Sequence, residues 1–377
     1  MIPYGKQSIS QEDINSVVEV LKSDFLTQGP KINEFENAIS KYVNSKYCIA
    51  VNSATSALHI GCLALGVGPG DIVWTAPNSF VASSNAALYC GASVDFVDID
   101  LETNNLCCDS LESKLIEAKA NDILPKVVIP VHLGGLSCDI KRINSLSKEY
   151  GFKILEDASH CIGGDYENAK IGSCLLSDLC VFSFHPVKII TTGEGGAITT
   201  NSSELYSKLV KLRTHGITKN IKEFNESIIP DWYYQQQELG FNYRITDIQA
   251  ALGITQLKKL DFFISKRRSI VEFYQKNLSA NFDFIDVKKN KGSSNHLFIL
   301  KIDHRDEVRE ALLRKNIFTN LHYFPIHLQP FYLKLGFKEG DFPNSEIYGK
   351  RALSIPVYPD LNQEDLDYIV ETLNDLL

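Results

Sequence analysis

Lys188 lies in a stretch whose residue types can do chemistry: Ser183-Phe184-His185-Pro186-Val187-Lys188, then Ile189-Ile190-Thr191-Thr192-Gly193-Glu194-Gly195-Gly196. A buried strand is expected to end at Ser183 and to deliver Lys188 into a glycine-rich turn, where the backbone can approach a neighbour closely. A lysine held on a rigid turn beside an electron-withdrawing ring can form a Schiff base. A lone lysine in a turn is ordinarily solvated, and three further stretches change that reading. In Leu155-Glu156-Asp157-Ala158-Ser159-His160 a strand ends in acid, and a carboxylate there could keep a pyridine nitrogen protonated. By itself Asp157 would read as a loop residue capping the next turn. In Asn52-Ser53-Ala54-Thr55-Ser56-Ala57-Leu58 a strand gives way to a helix. Free N–H groups, small hydroxyls and the positive helix end then face outward together, which suits a phosphate; alone, these residues would be simple caps. In Leu239-Gly240-Phe241-Asn242-Tyr243-Arg244, Asn242 and Arg244 could reach a phosphate, although alone this is a turn with a surface arginine. An amine, a carboxylate and a phosphate site together are what pyridoxal 5′-phosphate (PLP) requires.

These stretches fall at the carboxyl ends of predicted strands or at helix starts, where open α/β sheets bind their ligands. Apolar spacing predicts an amphipathic helix from Gln11 to about Ser23, with Ile14, Val17, Val18 and Leu21 on one face, and another over Lys31–Val43. Strands are expected at Tyr47–Val51, Asp71–Thr75, Ser93–Val97, Lys126–Leu133, Lys153–Glu156, Asp178–His185 and Gly196–Thr200, and a helix at Ser56–Leu65 stopped by Gly66. Strands separated by helical stretches imply a mainly parallel sheet covered on both faces. Thr246-Asp247-Ile248-Gln249 reads as a capping box opening a long helical region to about Leu278. A strand at His296–Ile302 and helices at Asp306–Lys315 and Gln363–Leu377 make a smaller α+β unit, so the chain is divided as 1–257 and 258–377.

The bulk numbers agree with such a protein. At roughly 100–200 residues per domain, 377 residues predict two domains. A net charge of −8 argues against a general nucleic-acid surface while leaving room for local phosphate pockets. Nine cysteines without a Cys-x-x-Cys pair argue against zinc or redox motifs and fit reduced thiols. No apolar run is long enough to span a bilayer, and Met1–Lys6 has no apolar core of a signal peptide, so a cytoplasmic location is expected.

Taken in order, Asn52–Leu58, Asp157–His160, Ser183–Lys188 and Gly240–Arg244 resemble the DegT/DnrJ/EryC1/StrS family of sugar aminotransferases. The likeness runs from Leu26-Thr27-Gln28-Gly29-Pro30 to Ser354-Ile355-Pro356-Val357-Tyr358-Pro359, essentially the whole chain. It implies an α/β fold of the fold-type I PLP-dependent transferases: a large domain with a mainly parallel mixed sheet flanked by helices, and a smaller C-terminal α+β domain. It also implies roles. Lys188 would carry the cofactor and shuttle a proton, Asp157 would pair with the pyridinium nitrogen, His160 would contact the ring or its 3-oxygen, and Phe80 would stack on the ring face. Ala54, Thr55, Ser56 and Ser183 would hold the phosphate end, with Asn242 reaching it from the neighbouring subunit of a homodimer. Tyr4, Asp24, Phe25, Leu26, Thr27, Leu321, His322, Tyr323 and Phe324 would line the substrate.

Within the family, Trp232–Gly240, Leu321–Pro325 and His160 look like the branch that aminates C4 of UDP-linked 4-keto-6-deoxy-N-acetylhexosamines with L-glutamate, in pseudaminic acid biosynthesis. Two half-reactions predict ping-pong kinetics. A different UDP- or dTDP-linked keto sugar, a PLP sugar dehydratase, and a catalytically inactive sugar-binding relative are the alternatives. Enzymes of the dehydratase kind typically replace the lysine with histidine, and an inactive relative would be expected to have lost Lys188 or Asp157.

Overall fold

A seven-stranded sheet forms the centre of the computed structural model, which describes residues 1–224, 230, 232–285 and 292–376. Its strands are β1 (Tyr47–Val51), β2 (Ile72–Thr75), β3 (Ser93–Phe96), β4 (Val127–Ile129), β5 (Lys153–Asp157), β8 (Leu179–Ser183) and β9 (Gly196–Thr200), with the hairpin β6 (Asp165–Tyr166) and β7 (Ala169–Lys170) inserted before β8. Helices α1 (Gln11–Leu21), α2 (Pro30–Val43), α3 (Ala54–Ala64), α4 (Ala82–Tyr89), α5 (Cys108–Ala120), α6 (Ile140–Tyr150) and α7 (Ser203–Arg213) accompany it. Next come a small pair, β10 (Ile217–Thr218) and β11 (Gln235–Gln236), and helices α8 (Asp247–Lys258) and α9 (Leu260–Asn277). The chain closes with β12 (Asp283–Phe284), β13 (Phe298–Lys301), α10 (Arg305–Arg314), α11 (Pro330–Leu333), α12 (Pro343–Arg351), β14 (Ala352–Ile355) and α13 (Gln363–Asp375).

The strand order is β1-β9-β8-β5-β4-β2-β3. β9 runs antiparallel to β1 and β8, and every other neighbouring pair is parallel. The carboxyl ends of β1, β2, β5 and β8 therefore share one edge, which β9 enters at Gly196. The strands are buried almost throughout, as expected of a sheet covered on both faces. Helix α3 is buried nearly all round, not along one stripe, because it lies between the sheet and both α4 and α7.

Several boundaries differ from expectation for local reasons. α3 starts at Ala54, two residues before Ser56, because Ser53 is its cap and accepts the Ser56 N–H at 3.1 Å. β4 stops at Ile129, not Leu133, because Pro130 has no N–H to give the ladder. Strands β8 and β13 are each shorter than the runs that predicted them. The long helical region after the Thr246–Gln249 capping box, which is present, is two helices meeting at Lys259. α1 ends at Leu21, and its apolar stripe is not its buried face. Ile14, Val18 and Leu21 are exposed, while Asp13 and Val20 point inward. Asp13 turns the helix this way: its carboxylate accepts from Thr255 Oγ1 at 2.6 Å and Gln256 Nε2 at 3.0 Å, and pairs with Lys259.

Strands β12, β13 and β14 form a separate antiparallel sheet packed with α9, α10 and α13. The two cores trade segments. Ile2 belongs to the C-terminal core and pairs with Ile317, which carries Tyr4 along beneath Val357. In return Ile326, Tyr332 and Phe342 pack into the core of the large sheet. All nine cysteines are free, and eight of them are buried. No helix among the described residues is long and apolar enough to cross a membrane.

Candidate active site

At the shared strand edge a cavity of about 460 Å³ opens between the large sheet and the C-terminal residues 320–323. Lys188 enters it from the turn between β8 and β9. That turn is held by backbone: Phe184 N–H donates to Gly195 O at 2.9 Å, and Thr192 N–H to Phe184 O at 3.0 Å. Gly193 takes a φ of 78°, which a side chain would resist. Among the described residues, no hydrogen bond or ion pair engages the Lys188 amine. The surrounding protein withdraws it from bulk water and pushes its pKa down to about 8, with Asp157 pulling weakly the other way.

Asp157 is the last residue of β5. Side chains alternate across a strand, so its neighbour Glu156 faces the opposite side, bound to His132 at 2.8 Å and to Ser177. The Asp157 carboxylate is braced in place. Oδ2 accepts from Ser83 Oγ at 2.6 Å, and Oδ1 accepts from Ser159 Oγ at 2.6 Å and from the Ser159 N–H at 3.1 Å.

Ser53, Ala54 and Thr55 bring the start of α3 to the cavity wall. The first N–H groups of a helix have no partner within it and carry partial positive charge. Gly196 makes this approach possible, since a Cβ there would fall 2.6 Å from the Ala54 nitrogen. Ser183 also lines the wall. Ser56 does not: it is turned into the cap, with its Oγ 2.9 Å from that of Ser53.

The remaining wall is aromatic and imidazole. His160 Nδ1 accepts the Gly134 N–H at 3.3 Å, so Nε2 carries the proton and donates to the Tyr323 oxygen at 3.1 Å. Burial, and then the charge of Lys188, hold His160 well below the usual histidine pKa. His322 sits between Ser354 Oγ at 2.8 Å and Asn320, and burial pushes it down to about 3. Its peptide bond to Tyr323 is cis. Tyr4 stands with its ring 5.4 Å from that of His322. Phe80 lies at the mouth, 59% exposed, with its ring 6.2 Å from that of Tyr323.

Of the residues expected to serve the site, Tyr4, Ala54, Thr55, Phe80, Asp157, His160, Ser183, Lys188, His322 and Tyr323 line this one cavity. The others do not line it. Asp24, Phe25, Leu26 and Thr27 are exposed beside the start of α8, where Leu26 O accepts the Asp247 N–H. Asn242 is exposed on a bridge to Thr214. Leu321 is half-buried and packs against the core that contains Trp74, and Phe324 is 46% exposed outside the wall. Sequence reasoning overlooked Ser83, His296 and Asn320. Ser83 and Asn320 carry no local signal, and His296 opens a predicted strand like any buried residue.

An unengaged amine, a braced carboxylate and a bare helix start on one cavity fit the three ends of PLP, and the site is that of a PLP-dependent aminotransferase. Residues 7–374 match the DegT/DnrJ/EryC1/StrS aminotransferase family, and the chain belongs to it. It is 40% identical to the UDP-4-amino-4,6-dideoxy-N-acetyl-beta-L-altrosamine transaminase of Campylobacter jejuni subsp. jejuni serotype O:23/36 (strain 81-176), over 100% of this chain and 98% of that protein. Among solved structures it resembles Helicobacter pylori PseC, an aminotransferase involved in the biosynthesis of pseudoaminic acid, with a TM-score of 0.90 and 30% identity over 99% of this chain and 98% of that one. It also resembles the PLP form of the putative sugar aminotransferase Spr1654 from Streptococcus pneumoniae, with a TM-score of 0.89 and 29% identity over 100% of this chain and 98% of that one. The protein is thus a PLP-dependent sugar aminotransferase of fold type I.

Proposed function

We propose that this enzyme transfers the amino group of L-glutamate to C4 of UDP-2-acetamido-2,6-dideoxy-β-L-arabino-hex-4-ulose, giving UDP-4-amino-4,6-dideoxy-N-acetyl-β-L-altrosamine for pseudaminic acid biosynthesis. The observation that carries the reading is the cavity wall. His160 and, from the Leu321–Pro325 stretch, His322 and Tyr323, residues that suggested this branch, line one enclosure with the unengaged Lys188. The full-length likeness to the C. jejuni transaminase supports it.

PLP, when bound, supplies an electron sink for charge that develops beside the transferred amine. The chain's own residues do the rest. Lys188 would carry the cofactor, and its free amine would deliver the proton that C4 of the keto sugar gains; in the cofactor-free protein a pKa of about 8 leaves part of the amine neutral near neutral pH. Asp157, fixed by Ser83 and Ser159, would present its carboxylate to the ring nitrogen. Ala54, Thr55 and Ser183 take the phosphate end, with Ser56 holding the helix start in shape. His160 contacts the ring or its 3-oxygen, and Phe80 covers a ring face at the mouth. Tyr4, His322 and Tyr323 line the sugar.

We further read the molecule as a homodimer with shared sites and the chain as two units, 1–257 and 258–377. Asn242, exposed here, would reach the phosphate of the neighbouring subunit, and Asp24–Thr27, Leu321 and Phe324 would line its substrate path. The exposed stripe of Ile14, Val18 and Leu21, continued by Phe25 and Leu26, supports a partner surface at this end.

The test is to incubate the enzyme with L-glutamate and a panel of UDP- and dTDP-linked 4-keto sugars and to identify the product. A UDP-linked 4-amino sugar formed with one equivalent of 2-oxoglutarate is expected. Turnover of a dTDP sugar alone would assign a different keto sugar, and glutamate-independent turnover would assign a dehydratase.

A further inference from the structure

Among the described residues the cavity wall contains four imidazoles; His185 is exposed, and the three buried rings differ in how they are engaged. His160 and His322 use both ring nitrogens on protein partners. His296 is 3% exposed and uses neither on any described residue; its Nδ1 is sealed from solvent, which leaves Nε2 as the ring nitrogen with access to the cavity. Buried polar atoms are nearly always hydrogen-bonded, and leaving one unpaired is costly. The ring is nonetheless held rigidly. It lies against His160 with ring centroids 4.5 Å apart. Its backbone is threaded against the Leu133–Gly135 turn, where Ser294 N–H donates to Gly135 O at 3.0 Å and Leu297 N–H to Gly134 O at 3.1 Å. A Cβ on Gly135 would sit 3.0 Å from the His296 backbone nitrogen. The buried Arg267 donates to the carbonyls of His296 at 3.1 Å and Val357 at 2.8 Å, and no described carboxylate reaches it.

The surroundings select what this ring can meet. Burial, with the nearby charges of Lys188 and Arg267, keeps the imidazole uncharged. Among the described residues Lys188 is the only lysine or arginine on the cavity wall, and Glu194, also on the wall, is exposed. The same wall carries Asn320, His322, Tyr323 and Tyr4, side chains that offer hydrogen-bond donors and acceptors. A carboxylate would find no cation here apart from Lys188, which the chemistry occupies. A row of neutral donors and acceptors instead matches the hydroxyl and carbonyl oxygens of a sugar.

We propose that His296 contacts the sugar, hydrogen-bonding an uncharged hydroxyl or carbonyl oxygen, and takes no part in binding the amino donor. The proposal rests on the nucleotide-sugar reading above and adds a residue that sets which sugar fits.

The test compares holoenzyme with His296→Phe, which keeps ring volume but no nitrogen, and His296→Asn, which restores a shorter polar group. Calorimetry measures binding of UDP-N-acetylglucosamine and of UDP alone, and absorbance follows the glutamate-driven half-reaction. With His296→Phe, the Kd for UDP-N-acetylglucosamine should rise about tenfold. The Kd for UDP and the glutamate half-reaction should stay within about twofold of wild type, and His296→Asn should fall between. Because Nδ1 has no partner in the free protein, His296→Phe should keep or raise Tm. A merely structural histidine predicts a lower Tm with unchanged sugar-nucleotide binding, and that result overturns the proposal. Equal weakening of UDP and UDP-N-acetylglucosamine, or loss of the glutamate half-reaction, overturns it as well. If wild-type enzyme binds neither UDP nor UDP-N-acetylglucosamine, the substrate reading fails and the proposal falls with it.

Discussion

The Nε2 of His160 lies 3.1 Å from the phenol oxygen of Tyr323, and the two rings stack with an interplanar angle of 19°. Because His160 Nδ1 is already an acceptor for Gly134, the imidazole donates and the phenol accepts. The Tyr323 proton is then free to be offered into the cavity. Two segments far apart in the chain thus fix one tautomer and one direction of donation.

Removing that acceptor tests the pairing. Tyr323→Phe should leave a buried imidazole N–H unpaired and cost about 1–3 kcal/mol of stability in urea denaturation. A variant as stable as wild type would mean that His160 finds another acceptor or holds the opposite tautomer.

Lys188 should give the cofactor-free protein a distinctive pH dependence. Its amine loses the proton near pH 8 when folded, against an ordinary value of 10.5. Between these values the unfolded chain binds more protons, so stability rises with pH. Below pH 8 both states are protonated and the penalty for burying the charge is fully present. Lys188→Met should therefore be the more stable protein at pH 7, with its advantage shrinking steadily from pH 8 towards 10.5. Urea midpoints at several pH values measure this, and a constant difference would contradict the lowered pKa.

Asp157→Asn removes the one group that raises the Lys188 pKa. The amine should then titrate below its wild-type midpoint, read as the pH dependence of its acylation rate in the cofactor-free protein. Turnover should fall at least about a hundredfold, because the ring nitrogen loses its anionic partner. An upward shift of the amine's titration would exclude the assigned pairing.

Gly196→Ala probes the approach of α3 to the sheet. Its Cβ would meet the Ala54 nitrogen at 2.6 Å and the Ser53 carbonyl carbon at 2.7 Å, both backbone atoms. Displacing the helix start should cost about 1–3 kcal/mol and loosen PLP, seen as faster loss of the cofactor's absorbance on dialysis. Gly68→Ala is the control, since nothing lies within 4 Å of its added Cβ.

Much of this site was legible because its chemistry is local. Asp157, Lys188 and Ala54–Thr55 each sit where a strand ends or a helix begins, and strand ends on one sheet edge meet whatever the loops do. What stayed hidden depends on partners distant in sequence. The exposed face of α1 is set by Asp13 bonding Thr255 and Gln256, a contact that outweighs the apolar spacing that suggested the opposite face. Ser83 matters through Asp157 alone, and a serine inside a small-residue helix looks like any other. His296 stands out only once the other two buried imidazoles of the wall are known to be satisfied and it is not. The reach of Asp24–Thr27 and Asn242 could not be judged from one chain's spacing, since both lie outside their own cavity.

The late position of the cavity's last supports bears on how the enzyme is made. His322 is steadied by Ser354, and Arg267 by the carbonyl of Val357. A chain emerging from the ribosome completes its central sheet at Thr200, with Lys188 and Asp157 already in it, long before those supports exist. The nascent protein carries Lys188 in an unfinished, open-sided pocket until those later residues have emerged. Cofactor loading is then a closing event of biogenesis, and truncation near the carboxyl terminus should strike it first.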